Sequence, residues 1–327
     1  MNALVTGGGG FLGQYIVEQL VARGDSVRSI SRNRYPQLTQ LGVEQISGDI
    51  QDPMIVHQAC QGIDTVFHTA AIAGIWGSWQ KYYGVNTLGT RNVLEACRKN
   101  KVFKLVYCSS PSVIFDASNQ EGLDETAAYP TRWLCHYPRS KALAEQEVLS
   151  ANDSHSFLTC ALRPHLIWGP RDQHLIPRLI DSAKKGRLRI VGDGNNLVDN
   201  VYVENAAQAH LNASDHLTPG SPVCGQAYFI TQGKPVNCWA WINEILTGTG
   251  LKPVEKKIGF SSAWSVGWAM ETVYRLLGRS AEPSMTRFLA AQLAQHHYYQ
   301  IDKARRDFGY EPTVSHKLGM ARLLDSL

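Results

Sequence analysis

Tyr137 and Lys141 stand four residues apart in Tyr137-Pro138-Arg139-Ser140-Lys141. On a helix, side chains at that spacing share one face, and Pro138 is tolerated where a helix is only starting. A phenol titrates at about pH 10. A nearby ammonium favours the phenolate and lowers that value. Such a pair can exchange a proton with a carbonyl or alcohol oxygen while hydride moves to or from a nicotinamide. Ser110, in Tyr107-Cys108-Ser109-Ser110, follows an apolar run read as a strand. A hydroxyl at such a strand exit can hold the substrate oxygen beside Tyr137. Taken alone, YxxxK arises by chance on many helices, and a serine-rich strand exit need do nothing. A glycine loop, then the strand exit, then YxxxK, in that order, is what favours chemistry.

The loop is Thr6-Gly7-Gly8-Gly9-Gly10-Phe11-Leu12-Gly13, between a first strand and a first helix. Gly7, Gly10 and Gly13 are the glycines expected to let the backbone turn and approach a pyrophosphate. The helix N-terminus adds free N–H groups and a positive dipole end. A merely flexible turn is the alternative, and the strand–turn–helix context argues against it. At the end of the second strand NAD sites usually place an acid on the ribose 2′-OH. This chain has Ser31-Arg32-Asn33-Arg34 instead. Arg32 suits a 2′-phosphate through a bidentate contact, so NADP(H) is the expected cofactor; a solvated basic loop is the competing reading. Asp49-Ile50 is placed to meet the adenine, with a turn cap before Pro53 an equal role for Asp49.

The elements that must position these groups alternate. Strands are expected at Asn2–Thr6, Ser26–Ser31, Val43–Ser47, Thr65–Phe67, Phe103–Cys108 and Phe157–Leu162, and helices over Phe11–Arg23, Gly89–Lys99 and Arg139–Ser150. This is the pattern of an α/β, doubly wound parallel sheet. A Rossmann domain over 1–165 is expected, its sheet continued by parts of 186–230. A smaller, mostly helical substrate lobe over 166–327 is interleaved with it. The helical segments there are 173–185, 203–214, 237–248, 262–277 and 285–295.

Composition excludes several classes. Hydrophobic residues are 44% and charged residues 18% of the 327, which argues against disorder. The net charge of +4 comes from scattered basic residues, so no nucleic-acid partner is expected. The seven cysteines are odd in number and show no metal spacing, so no metal is expected and free thiols in the cytoplasm are. No basic segment precedes the loop, and no secretory signal is expected.

Together these residues resemble the extended short-chain dehydrogenase/reductases over essentially the whole chain. The shared strings are Thr6–Gly13, Ala70-Ala71, Asn86 in Val85-Asn86-Thr87-Leu88-Gly89-Thr90, Ser110, Tyr137 and Lys141. Leu162-Arg163-Pro164, Trp168-Gly169-Pro170, Gly192-Asp193-Gly194 and Val201–Ala207 follow. The resemblance implies that Ser110 orients the substrate, Tyr137 is the acid/base, and Lys141 holds the ribose and tunes Tyr137. It gives Asn86 a proton relay or support of the local backbone. Thr6, Phe11, Leu12, Ala70 and Ala71 would belong to the cofactor site, and Pro164 and His165 would lie near the nicotinamide. Within the family the chain is similar to the 3β-hydroxysteroid dehydrogenase branch, and there to the reductases of bacterial long-chain olefin biosynthesis. Ala73–Ser78, Leu166–Pro170, Pro283–Leu289 and Ala304–Tyr310 carry that likeness. It implies NADPH-dependent reduction of a long-chain 2-alkyl-3-oxoalkanoate, a β-keto acid, to the 2-alkyl-3-hydroxyalkanoate. A long-chain acyl substrate, a homodimer and contact with other enzymes of the same pathway come with it.

Ile258–Met270 is uncharged and includes Phe260, Trp264, Trp268 and Met270. It is too short to span a bilayer, which takes about 20 residues. A buried helix, a wall for an acyl chain and peripheral contact with a membrane surface all remain open. Trp76 and Trp79 could close over the substrate or pack in the core. A steroid or sterol dehydrogenase would use the same triad. A nucleotide-sugar epimerase would want cations where this stretch is apolar, and an NADP-sensing regulator would not need an intact triad.

Overall fold

The structure, a computed structural model, describes residues 1–153 and 155–327. Seven strands form the central sheet: β1 (Asn2–Thr6), β2 (Ser26–Ser31), β3 (Glu44–Ser47), β4 (Thr65–His68), β5 (Lys104–Cys108), β6 (Leu158–Pro164) and β7 (Ala227–Ile230). Their order is β7-β6-β5-β4-β1-β2-β3, with every pairing parallel. The strands read as apolar runs because helices cover both faces. Ala3 and Val5 enter the core on one side and Leu4 the core on the other, as the two-residue strand period requires. Helices α1 (Phe11–Ala22) and α4 (Val203–His216) pack together on the first side. Helices α2 (Gly89–Asn100) and α3 (His136–Ser150) occupy the second.

The chain steps outward from β1 through β2 to β3 and then returns to the other side of β1 for β4. That reversal opens a crevice between the carboxyl ends of β1 and β4, where ligands bind in such sheets. The glycine loop leaves β1 at this point, and Thr69–Ala73 leaves β4.

Residues past 165 contribute to both bodies. Strand β7 and helix α4 complete the main sheet, so the sequence boundary is not a spatial one. The remainder is less purely helical than expected. A four-stranded sheet joins Gln120–Leu123, His297–Tyr299, Leu197–Val198 and Val236–Asn237. Three of these strands are too short to show an alternation in sequence. Helices α5 (Phe260–Leu276) and α6 (Arg287–Ala294) pack against one another beside it.

Candidate active site

The glycine loop is built by close approach. Gly7 has φ +71°, a left-handed turn that favours glycine. The Gly10 N–H donates to the Gly7 carbonyl at 2.8 Å, and the Gln14 N–H to the Gly10 carbonyl at 3.0 Å, opening α1. A Cβ on Gly13 would lie 2.2 Å from the Gly7 oxygen, so Gly13 is what lets α1 sit on the loop. Gly9, which the motif did not single out, is needed for a different reason. A Cβ there would fall inside the Tyr35 ring, which covers the loop.

A cleft of about 400 Å³ opens over this loop. Gly7, Gly10, Phe11, Ser31, Arg32, Asp49, Ile50, Ala70 and Ala71 all line it, as expected. Arg32 is exposed on its rim, and no ion pair among the described residues engages it. Asp49 accepts from the Gln51 N–H at 2.9 Å while remaining on the wall. The helix cap before Pro53 is Asp52, which accepts from Met54 and Ile55. A backbone able to take a pyrophosphate, an unengaged cation at the second strand's end and an apolar floor fit a dinucleotide. Gln173 and His174 reach the cleft from the second lobe.

Other expected contacts are not on the wall. Thr6 is buried, and its hydroxyl lies 2.6 Å from His68 Nδ1. Leu12 and Gly13 are buried supports of the loop. His165 turns into the protein, where its Nε2 lies 2.7 Å from His297 Nδ1 and its ring meets Tyr299 edge-on. Burial first, and His297 second, hold His165 well below the usual imidazole range. Pro164 closes β6, and neither it nor His165 lines the cleft over the loop.

The three residues singled out for chemistry do come together. Ser110 follows β5, caps the short turn Pro111–Ile114 and stands near enough to the Tyr137 phenol to oppose the rise in its pKa. Its Oγ is also 2.9 Å from Ser112 Oγ. Tyr137 lies in the first turn of α3, and Lys141 lies one turn on, buried. The electrostatics differ from the expectation in one respect. Lys141 Nζ donates to the Cys108 carbonyl at 2.6 Å and sits 4.1 Å over the Tyr107 ring. Burial therefore dominates at Tyr137 and raises its phenol, Cys108 adds to the rise, and Ser110 opposes it. Burial likewise pulls the Lys141 ammonium down to about 8, against Cys108 and Glu145. Burial thus holds Tyr137 as the protonated phenol.

Asn86 supports the backbone. It lies in a π-helical turn, Tyr83–Leu88, that leads into α2. Its Oδ1 accepts from the Ile72 N–H at 2.8 Å, and its Nδ2 donates to the Ile72 carbonyl and to Ser140 Oγ, each at 3.0 Å. Ser140 Oγ in turn donates to the Tyr137 carbonyl at 2.8 Å. Asn86 is therefore a positioning residue that ties the cofactor-side segment to the catalytic helix.

His68, missed in the sequence, extends this chain to the glycine loop. Thr90 Oγ1 donates to the Asn86 carbonyl at 2.7 Å. The hydrogen bond between Thr90 and His68, at 2.9 Å, must therefore use the Nε2 proton of His68. Its Nδ1 is left to accept from Thr6, whose hydroxyl oxygen takes the Ala70 N–H at 3.1 Å. Burial, with Lys141 second, lowers His68 to about 3, so the ring stays neutral and the direction of the chain is fixed.

One turn beyond Lys141, α3 is anchored to β6. Arg163 and Glu145 form a buried ion pair at 2.6 Å, and the Tyr129 hydroxyl donates to Glu145 at 2.6 Å. Toward the second lobe, Phe115, Phe288 and Ala291 form an apolar cluster with Ile75, Leu134, Cys135, Phe260 and Trp264 around them. Cys135 is two residues from Tyr137, so this cluster adjoins the start of α3. Trp76 donates to the Arg279 carbonyl at 3.1 Å and packs on Tyr274, latching the Ala73–Ser78 loop to the end of α5. Trp79 stacks on Tyr83, with the Arg139 guanidinium 4.5 Å from its ring.

Comparison with known proteins gives the family and the fold. Residues 4–259 match the model of the 3-beta hydroxysteroid dehydrogenase/isomerase family. A 2-alkyl-3-oxoalkanoate reductase of Stenotrophomonas maltophilia is 48% identical over 325 residues, covering 99% of this chain and 98% of the relative. A decarboxylating sterol-4-alpha-carboxylate 3-dehydrogenase of Mus musculus is 35% identical, covering 98% and 90%. Among solved structures, MoeE5 in complex with UDP-glucose and NAD superposes with a TM-score of 0.74 at 25% identity, covering 100% of this chain and 98% of that one.

Proposed function

The chain belongs to the 3-beta hydroxysteroid dehydrogenase/isomerase family and is an oxidoreductase of the extended short-chain type, and on that footing we propose that it is a cytoplasmic NADPH-dependent reductase of long-chain 2-alkyl-3-oxoalkanoates. The observation that carries the reading is the half-buried Tyr137 in the first turn of α3, with Lys141 one turn on and an apolar cluster at the residues just before it. The 48% identity to a reductase of that name supports the substrate. The free thiols suit a reducing compartment.

When bound, NADPH supplies the hydride that becomes the C3–H of the product. The loop N–H groups at the start of α1 hold the pyrophosphate, and Arg32 pairs with the 2′-phosphate. Ser110 Oγ holds the ketone oxygen, and Tyr137 gives its proton to that oxygen as negative charge develops there. Lys141 holds the ribose and replaces part of the charge that the phenol loses. The apolar cluster takes the alkyl chain and keeps water from the reacting carbon.

The test is oxidation of NADPH and NADH by the purified chain with long-chain β-keto acids, 3-ketosteroids and UDP-sugars. Turnover of the β-keto acids with NADPH is expected. A preference for 3-ketosteroids over every β-keto acid would move the chain to the steroid side of its family.

A further inference from the structure

The turn after β5 carries a second hydroxyl that the hydride-transfer step does not use. Ser110 and Ser112 are half-buried, while Pro111, Val113 and Ile114 are buried. The two Oγ atoms lie 2.9 Å apart, and the Ser112 N–H donates to Ser110 Oγ at 3.2 Å. Among the described residues, Ser110 Oγ is the one hydrogen-bond partner of Ser112 Oγ. The turn itself is held. The Val113 N–H donates to the Ser110 carbonyl at 3.2 Å, and the Phe115 N–H to the Ser112 carbonyl at 3.1 Å. Buried Gln120 donates through Nε2 to the Ile114 carbonyl at 2.8 Å, and the Tyr299 hydroxyl donates to Gln120 Oε1 at 2.6 Å. The pairing of Gln120–Leu123 with His297–Tyr299 in the second lobe therefore fixes the turn. Groups held in place beforehand lose little freedom on binding.

A serine hydroxyl has one proton to give. With its proton on a ketone oxygen, Ser110 still accepts from the Ser112 N–H. The proton of Ser112 Oγ is then free for a second acceptor beside the first. A β-keto acid supplies one. Its ketone and carboxyl carbons are separated by a single carbon, so the ketone oxygen and a carboxylate oxygen can lie side by side. A plain ketone has no second oxygen there. The cations of this region are committed elsewhere: Lys141 to the Cys108 carbonyl, Arg163 to Glu145 and Arg287 to Glu271. Asp116, the next carboxylate along the chain, is taken up by the N–H and hydroxyl of Ser118. A substrate carboxylate at this turn is thus met by a neutral donor, and Ser112 Oγ is the one in place.

We infer that Ser110 and Ser112 together read the two oxygens of a β-keto acid, Ser110 holding the ketone and Ser112 Oγ donating to the carboxylate. Ser112 then sets the preference for a β-keto acid over a plain ketone. The assignment rests on the proposed reduction of 2-alkyl-3-oxoalkanoates. A hydrogen bond to a charged acceptor is the stronger kind, and a donor left unpaired by an analogue discriminates against it.

The experiment compares wild type with Ser112→Ala, using NADPH, on a long-chain 2-alkyl-3-oxoalkanoate and on the ketone of the same chain without its carboxyl group. The readout is the ratio of the two kcat/KM values, with the inhibition constant of the ketone standing in if its turnover is too slow to follow. The wild type should prefer the acid, and in Ser112→Ala that preference should shrink about 10- to 150-fold. Ser112→Thr keeps the hydroxyl and should keep the preference. Circular dichroism confirms the fold of each variant. Equal losses on acid and ketone would make Ser112 a support for Ser110 alone and overturn the assignment. So would a wild type without preference, an unchanged preference in Ser112→Ala, or a lost preference in Ser112→Thr. Each of these leaves the proposed function standing. No turnover of any β-keto acid by the wild type would instead refute that function and take this assignment with it.

Discussion

In the proposed function, cofactor choice rests on Arg32, a cation on the cleft rim that no carboxylate among the described residues occupies. A charge-assisted hydrogen bond is worth about 1.5–3 kcal/mol. Arg32→Ala should therefore cost about 10- to 150-fold in kcat/KM for NADPH and leave NADH nearly unchanged. The ratio of the two kcat/KM values checks this, and an unaltered ratio would take the 2′-phosphate away from Arg32. Lys141 gives a pH signature. Burial lowers its value from 10.5 to about 8, so in the free enzyme the ammonium is present below that pH and is lost above it. Since kcat/KM reports the free enzyme, it should fall on the alkaline side of about pH 8, and a profile flat to the model-lysine value would contradict the assignment. The Tyr137/Lys141 pair was legible because an i, i+4 spacing survives in one short string. The direction of the Tyr137 shift was not, because burial and the diversion of Lys141 to the Cys108 carbonyl depend on neighbours that spacing does not carry.

Helix α3 must hold Tyr137 still, and its hold on β6 is the Glu145–Arg163 pair. Removing one partner strands a buried charge, at about 3–5 kcal/mol. Arg163→Met should lower the urea midpoint accordingly, and Glu145→Leu with Arg163→Met should recover most of the loss. Equal destabilisation by the single and double changes would mean that packing, not charge, is at stake. The main strands and the helices of the Rossmann half were readable from apolar runs and helical spacing, with ends displaced by one to three residues. The π-helical turn Tyr83–Leu88 was not, since nothing in Tyr-Gly-Val-Asn-Thr-Leu marks a wider turn. The His68–Thr90–Asn86 chain escaped for another reason. Its members lie on β4, α2 and the π-helical turn, and only the fold brings their polar atoms within 3 Å. The two-residue strands of the second lobe are too short for any period to show.

At the scale of the molecule, the two lobes meet at the apolar cluster of Phe115, Phe288, Phe260 and Trp264, which Leu134 and Cys135 border just ahead of Tyr137. A chain buried there gains about 0.8 kcal/mol per methylene, roughly fourfold per carbon. Across a series of 2-alkyl-3-oxoalkanoates, kcat/KM should climb steeply and then level off, and Trp264→Ala should flatten the climb. A profile flat from the shortest member would remove the cluster from the substrate site. The central claim is that hydride passes from NADPH to the C3 carbonyl while Tyr137 protonates its oxygen. Mass spectrometry of the product formed from a long-chain 2-alkyl-3-oxoalkanoate and NADPH deuterated at the transferable C4 position tests it most directly. The account predicts a 3-hydroxy product carrying one deuterium at C3 in the wild type, formed about 10²–10⁴ times more slowly by folded Tyr137→Phe. No deuterated alcohol from the wild type, or an undiminished rate in Tyr137→Phe, would contradict it.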